Sequence, residues 1–186
     1  MSTATLFPAL LTAEEYLRLP DSGRPTELVR GRVIPMNVPK PRHGQVCSRV
    51  DRFVGNFADG HDLGHVACND SGVITERDPD TVRGADVCFY SYSKVPRGPF
   101  PEGYLPVPPD AVFEILSPDN RRPKVLTKVG EYLEANVTVV CVLDPESETV
   151  EVFREKGPSQ TLSGDDELTL PDVLPGFSVP VRRFFE

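Results

Sequence analysis

The stretch D-A-V-F-E-I-L-S-P, residues 110–118, decides how this chain is read. Five of the six residues from Ala111 to Leu116 are apolar, and Ser117-Pro118 closes the run. A short apolar run ended by such a breaker reads as a strand covered on both faces. Glu114 stands in its middle. An unpaired carboxylate there is costly, so the strand calls for a charged partner.

Working outward, residues 123–136 carry Val125, Leu126, Val129, Tyr132 and Leu133 at helical spacing. T-V-V-C-V-L-D-P, 138–145, reads as a second doubly covered strand. T-V-E-V-F-R-E, 149–155, alternates and pairs with it as a hairpin through P-E-S-E. Upstream, residues 65–76 and 81–92 read as strands, and 96–109 as a proline-rich loop. From about His43 to Ala58, Val46, Val50, Phe53, Val54 and Phe57 recur three and four apart, which predicts an amphipathic helix. Thr12-Ala-Glu-Glu15 is a capping box opening a short helix to about Leu19. T-E-L-V-R-G-R-V-I-P-M, 26–36, reads as a hairpin bent at Arg30-Gly31. The tail L-P-G-F-S-V-P-V-R-R-F-F-E, 174–186, reads as an edge segment packed on the core. The order is helix, three strands, helix, strand, with a hairpin before and further strands after. This is an α/β (α+β) pattern over one domain, 1–186: N-terminal helix and hairpin in 1–40, core in 41–145, C-terminal hairpin and tail in 146–186.

A net charge of −8 and a pI near 5.0 argue against a general nucleic-acid coat protein. Any phosphate-binding site must then be concentrated, or helped by a metal. Arg121, Arg122 and Lys124, directly after the third core strand, are candidates for such a patch, or a solvated loop. The four cysteines include no C-x-x-C pair, which argues against structural zinc; Cys88 and Cys141 lie in apolar runs and read as buried thiols. No Lys or Arg precedes Arg18, and the apolar patch at 6–11 is short and holds Pro8. It matches neither a signal peptide nor a membrane span, and a soluble, cytoplasmic protein is expected.

Three polar residues stand where packing alone would not put them. Asp86 directly precedes an apolar strand run, Glu114 interrupts the next strand, and Lys128 borders the apolar stripe of the following helix one turn before Tyr132. Two carboxylates on adjacent strands offer hard oxygen donors suited to Mg²⁺ or Mn²⁺. Such an ion lowers the pKa of a bound water and stabilises charge on a phosphate, while an ammonium steadies the transition state. The residues alone leave a second account open, a buried ion pair of Glu114 with Lys128 or Arg121.

The succession of motifs is similar to the Uma-type family of predicted restriction endonucleases, within the PD-(D/E)XK nuclease superfamily. It runs through L-T-A-E-E-Y-L at 11–17, T-E-L-V-R-G-R-V at 26–33, P-R-H-G at 41–44, R-G-A-D-V-C-F-Y at 83–90 and F-E-I-L-S-P at 113–118. It continues with K-V-G-E-Y-L-E-A-N-V at 128–137, V-L-D-P at 142–145 and L-P-G-F-S-V-P-V at 174–181. Each motif is weak alone; eight in order, over nearly the whole chain, are strong. The resemblance implies an αβββαβ nuclease core with a mixed central sheet flanked by helices. It places the catalytic and metal-binding carboxylates on Asp86 and Glu114. The superfamily's lysine usually stands two residues after the glutamate, where this chain has Leu116; Lys128 on the next helix matches it, with Lys124 as the fallback. Two further departures are Ala85 in place of a usual proline and Cys141 about where the family often has a Trp. By the same resemblance Glu27 approaches the site as a metal ligand or supporting group. His43 contacts phosphate or base, unless it is only a helix-start cap. The activity implied is Mg²⁺- or Mn²⁺-dependent cleavage of nucleic acid, DNA first, by a homodimer with no membrane association. The alternative is a catalytically silent protein of the same fold that binds nucleic acid or a protein partner.

Overall fold

The computed structural model describes residues 9–20, 22–117 and 122–186. Helix α1 (Ala13–Leu17) opens on the expected capping box: Glu15 N donates to Thr12 Oγ1 at 3.1 Å and Thr12 N to Glu15 Oε2 at 2.9 Å. Strands β1 (Thr26–Val29) and β2 (Arg32–Pro35) form the hairpin. Arg30 and Gly31, with φ of 49° and 72°, supply the two left-handed residues that its tight turn requires. Helix α2 (Pro41–Gly60) starts on Pro41, whose missing N–H costs nothing in a first turn, and buries Val46, Val50, Val54 and Ala58.

Strands β3 (Gly64–Glu76), β4 (Thr81–Ser91) and β5 (Ala111–Ile115) follow, then helix α3 (Arg122–Glu134) and strand β6 (Val139–Asp144). This is the αβββαβ succession. Strands β7 (Thr149–Phe153) and β8 (Gln160–Ser163) extend the sheet, with β7 antiparallel to β6. The sheet is mixed, because β5 and β6 are parallel while the other pairs are antiparallel. Its order is β2-β1-β4-β5-β6-β7-β8, with β3 on the other edge of β4.

All five residues of β5 are buried, Glu114 included. On one side of the sheet, Phe89, Phe113 and Ile115 pack with the valines of α2. On the other, Cys88, Val112 and Val140 pack with Val125, Val129 and Tyr132 of α3. Leu126, placed in the α3 stripe from the sequence, is instead 39% exposed, one position around the wheel from Val125. The tail also differs from expectation. Strand β10 (Leu174–Pro180) pairs with β9 (Glu167–Leu170) in a separate two-stranded sheet. A 3₁₀ turn (Val181–Phe184) follows, and Leu174, Phe177 and Phe184 enter the α2-side core. Among the described residues, no helix is long and apolar enough to cross a membrane.

The site is positioned by a fork. Strand β3 pairs along nearly the whole of one edge of β4, with an interruption between Cys68 and Ser71. The other edge of β4 is divided: Val82 faces Leu28 of β1, and Val87, Cys88 and Phe89 face β5. Between these contacts Gly84, Ala85 and Asp86 have no strand partner on that side among the described residues. Backbone groups there must be met by side chains.

Phe113 is fully buried at the centre of the α2-side core. Phe113→Ala should cost about 3–5 kcal/mol in urea unfolding; a loss under about 1 kcal/mol would show that this core is not built around β5.

Candidate active site

At the fork, Gly84 N donates to Glu27 Oε1 at 3.0 Å, and Gly84 O accepts from Lys128 Nζ at 2.8 Å. Lys128 also lies 2.9 Å from Glu114 Oε2 and 3.3 Å from Glu27 Oε1. The Tyr132 hydroxyl, one turn along α3, donates to Glu114 Oε1 at 2.9 Å. Asp86 Oδ2 accepts from Ile115 N at 2.7 Å, and His43 Nε2 lies 3.2 Å from the same oxygen. Thus α2 reaches Asp86 and α3 reaches Glu114, from opposite faces of one opening in the sheet.

Arg83 completes the polar cluster. It donates to Glu27 at 2.9 Å and grips Glu131 with two bonds of 2.5 and 2.7 Å. Glu27 anchors the Lys128 ammonium and the Gly84 backbone, and it lines the cavity next to the one that Asp86 and Glu114 line. His43 is no cap: its ring is buried, with Nε2 toward Asp86 and Nδ1 3.4 Å from Cys47 Sγ. Lys124 is exposed and lines an outer cavity with Glu27 and Lys128. Arg122 pairs with Glu151 and lies at the mouth rather than at Glu114. Pro118 and Arg121, the latter a proposed partner of Glu114, lie outside the described residues.

A cavity of about 30 Å³ is lined by His43, Asp70, Asp86, Glu114, Ser117 and Lys128. That volume admits a small ion with a water. It opens toward a groove of about 550 Å³ that shares His43 and Ser117 and carries Lys40, Arg42 and Arg122 opposite Asp144 and Glu146.

The Arg83–Glu131 pair escaped the sequence reading, and so did Tyr132 and Asp70. Tyr132 looked like ordinary stripe, yet its hydroxyl is spent on Glu114. Asp70 sits in the interruption of β3, where Asn69 and Asp70 both adopt left-handed φ, 67° and 55°. The N-D-S-G segment carried that signal, since Asn and Asp tolerate this conformation best after glycine.

The cluster holds more anions than cations. Glu27, Asp70, Asp86, Glu114 and Glu131 face Arg83, Lys128 and, when protonated, His43. Burial pushes the Glu114 pKa up to about 7; Lys128 opposes this and Asp86 adds to it. Burial alone would lower Lys128, but Glu114 and Glu27 overcome it and hold the ammonium above an ordinary lysine. The two directions have different leading causes: burial makes Glu114 ionise reluctantly, with Asp86 adding to it, while the neighbouring carboxylates keep Lys128 charged. Burial disfavours charge on His43, but the bond to Asp86 and its charge win and raise it. Asp70 is raised by burial and then by Asp86.

Hard oxygen donors, a surplus of negative charge and a cavity of ionic size fit Mg²⁺ or Mn²⁺. His43, Cys47 and Asp86 also bring donor atoms within 4.8 Å of one another, a softer set. Burial raises the Cys47 thiol far above its ordinary value, so a metal there would have to displace its proton.

The fold and the opening define a nuclease-type scaffold, and comparison with known proteins agrees. A crystal structure of a "putative nuclease belonging to DUF820" from Anabaena variabilis ATCC 29413 superposes with a TM-score of 0.81. Its sequence identity is 21%, covering 94% of this chain and 97% of that one, a likeness of fold. A search among curated proteins finds no match. The family model Uma2, described as "Putative restriction endonuclease", matches residues 13–182. The chain belongs to the Uma2 family.

The raised Glu114 pKa sets a pH dependence. Stability tied to the neutral carboxyl is complete below its ordinary pKa of 4.5 and is lost as pH rises through about 7. Metal-free protein should melt at falling temperature from pH 5 to 8, Glu114→Gln should flatten that fall, and excess Mn²⁺ should reverse it in the wild type. Parallel melting-temperature profiles for the two proteins would exclude Glu114 as the titrating group.

Proposed function

We propose that the protein is a cytoplasmic, metal-dependent endonuclease that hydrolyses phosphodiester bonds in DNA, with Asp86 and Glu114 as metal ligands and Lys128 as the charge-stabilising group. The observation that supports it most is the convergence of Asp86, Glu114 and Lys128 on one small cavity at the fork of the sheet.

A divalent cation held by Asp86 and Glu114 would supply Lewis acidity to the phosphate and a more acidic water. Ile115 N and His43 both engage Asp86 through Oδ2. Lys128, kept charged by Glu27 and Glu114, can stabilise negative charge growing on the phosphate oxygens. His43, Lys40, Arg42 and Arg122 line the larger groove as a track for the strand backbone, with Lys124 on the neighbouring rim. Cutting both strands takes two sites, which favours a homodimer. The exposed Val33, Ile34 and Val38 at the β2 edge offer apolar surface for it.

One observation favours the catalytically silent alternative. The three N–H groups of Lys128 face three protein acceptors, Gly84 O, Glu114 and Glu27, as in a structural ion-pair network. In the nuclease reading the 3.3 Å contact to Glu27 is the one given up to substrate.

Cleavage of supercoiled DNA with Mn²⁺ or Mg²⁺ decides between them. Glu114→Gln and Lys128→Met should each lower the rate by about 10²-fold or more while the variants remain folded. If wild-type protein cuts neither DNA nor RNA and Lys128→Met merely destabilises it, the triad is structural.

A further inference from the structure

We infer that Asp70 is a third carboxylate ligand of the cation bound at Asp86 and Glu114; this rests on the metal-dependent reading above. Asp70 lines the small cavity together with Asp86, Glu114 and Lys128. It also lines a second cavity of about 340 Å³ with Asp86, His43 and Asp51. It therefore stands beside Asp86, at the wall between the two.

Its bonding sets it apart from the other inward carboxylates. Glu27 accepts from Arg83 and Gly84 N; Asp80 from Ala13 N, Asp78 N and Arg77; Asp86 from Ile115 N. Glu114 accepts from Lys128 and Tyr132, and Asp110 from Ser91 N, with Lys94 beside it. Among the described residues, nothing donates a hydrogen bond to the Asp70 carboxylate. A half-buried carboxylate with both oxygens open, beside another carboxylate, is unfavourable unless a cation joins them.

The backbone holds it there. The interruption of β3 turns Asp70 toward β4, and Gly84 makes the approach feasible. A Cβ on Gly84 would lie 3.0 Å from Asp70 Cβ and 3.2 Å from Asp70 O. The same glycine gives its N–H to Glu27 and its carbonyl to Lys128, so one residue without a side chain serves both halves of the site. Three carboxylate oxygens with two waters and a phosphate oxygen would fill the octahedral shell that Mg²⁺ and Mn²⁺ require.

The test is Mn²⁺ binding to the full chain at pH 7.5, by titration calorimetry and by the Mn²⁺-induced rise in melting temperature, neither of which reads activity. Asp70→Asn keeps the left-handed backbone and removes the charge. Its Mn²⁺ affinity should fall about tenfold or more, while the metal-free melting temperature holds or rises. Asp51→Asn, a charge of equal size on the wall of the second cavity, should change affinity less than about twofold. Asp70→Gly, which also tolerates the backbone, serves if the asparagine variant folds poorly. Wild-type affinity in Asp70→Asn, or equal losses in the Asp70 and Asp51 variants, overturns the assignment. If the wild type binds Mn²⁺ and Asp86→Asn abolishes binding while Asp70→Asn does not weaken it, only this inference falls. If the wild type binds none, the metal-dependent reading falls with it.

Discussion

A β-strand has one N–H and one C=O per residue to place, and strand β4 changes neighbours along one edge. Where β1 lets go and β5 has not yet begun, the Gly84 backbone needs partners from elsewhere. A carboxylate from β1 and an ammonium from α3 provide them. The same splaying leaves Ile115 N on the β5 side to be met by Asp86. The polar cluster is thus what closes a defect in the sheet as well as what surrounds the cavity. Removing either charge exposes buried backbone, which costs more than the loss of one ion pair.

Charge balance carries the argument from structure to chemistry. A buried network that existed only for stability would tend to neutrality, since each unmatched ion carries a desolvation penalty. Here the carboxylates outnumber the permanent cations, and the excess shows in the hold of Glu114 and Glu27 on the Lys128 proton, while burial first and Asp86 after it make Glu114 reluctant to ionise. In the metal-dependent reading, a divalent ion would offset this surplus. Perturbed groups of this kind cluster at functional sites.

Much of this arrangement was legible in the chain. Glu114 stood out because the run around it allowed no solvent-facing position, and the capping box, the Arg30-Gly31 turn and the valines of α2 follow local rules that the structure obeys. What stayed hidden depends on long-range pairing. Asp70 becomes visible only once β3 is laid against β4 and the register is seen to slip between Cys68 and Ser71. The separation of β9 and β10 from the main sheet was equally invisible, because short strands with buried alternate residues look the same whichever sheet receives them. The role of His43 turned on a contact across the fold, since a histidine in a first helical turn carries no mark that distinguishes a cap from a partner for a distant aspartate.

The placement of Lys128 follows from the same geometry. A lysine at position 116 would start from the strand itself; Leu116 instead packs into the α3-side apolar cluster and pairs its N–H with Leu143 O. Helix α3 crosses on the side to which Glu114 points, so Lys128 delivers the ammonium to the carboxylate from above rather than along the strand. The helical route adds something that the strand route lacks. Four residues on, the same face presents Tyr132, whose hydroxyl holds the second oxygen of Glu114. One helix therefore fixes both oxygens of the glutamate.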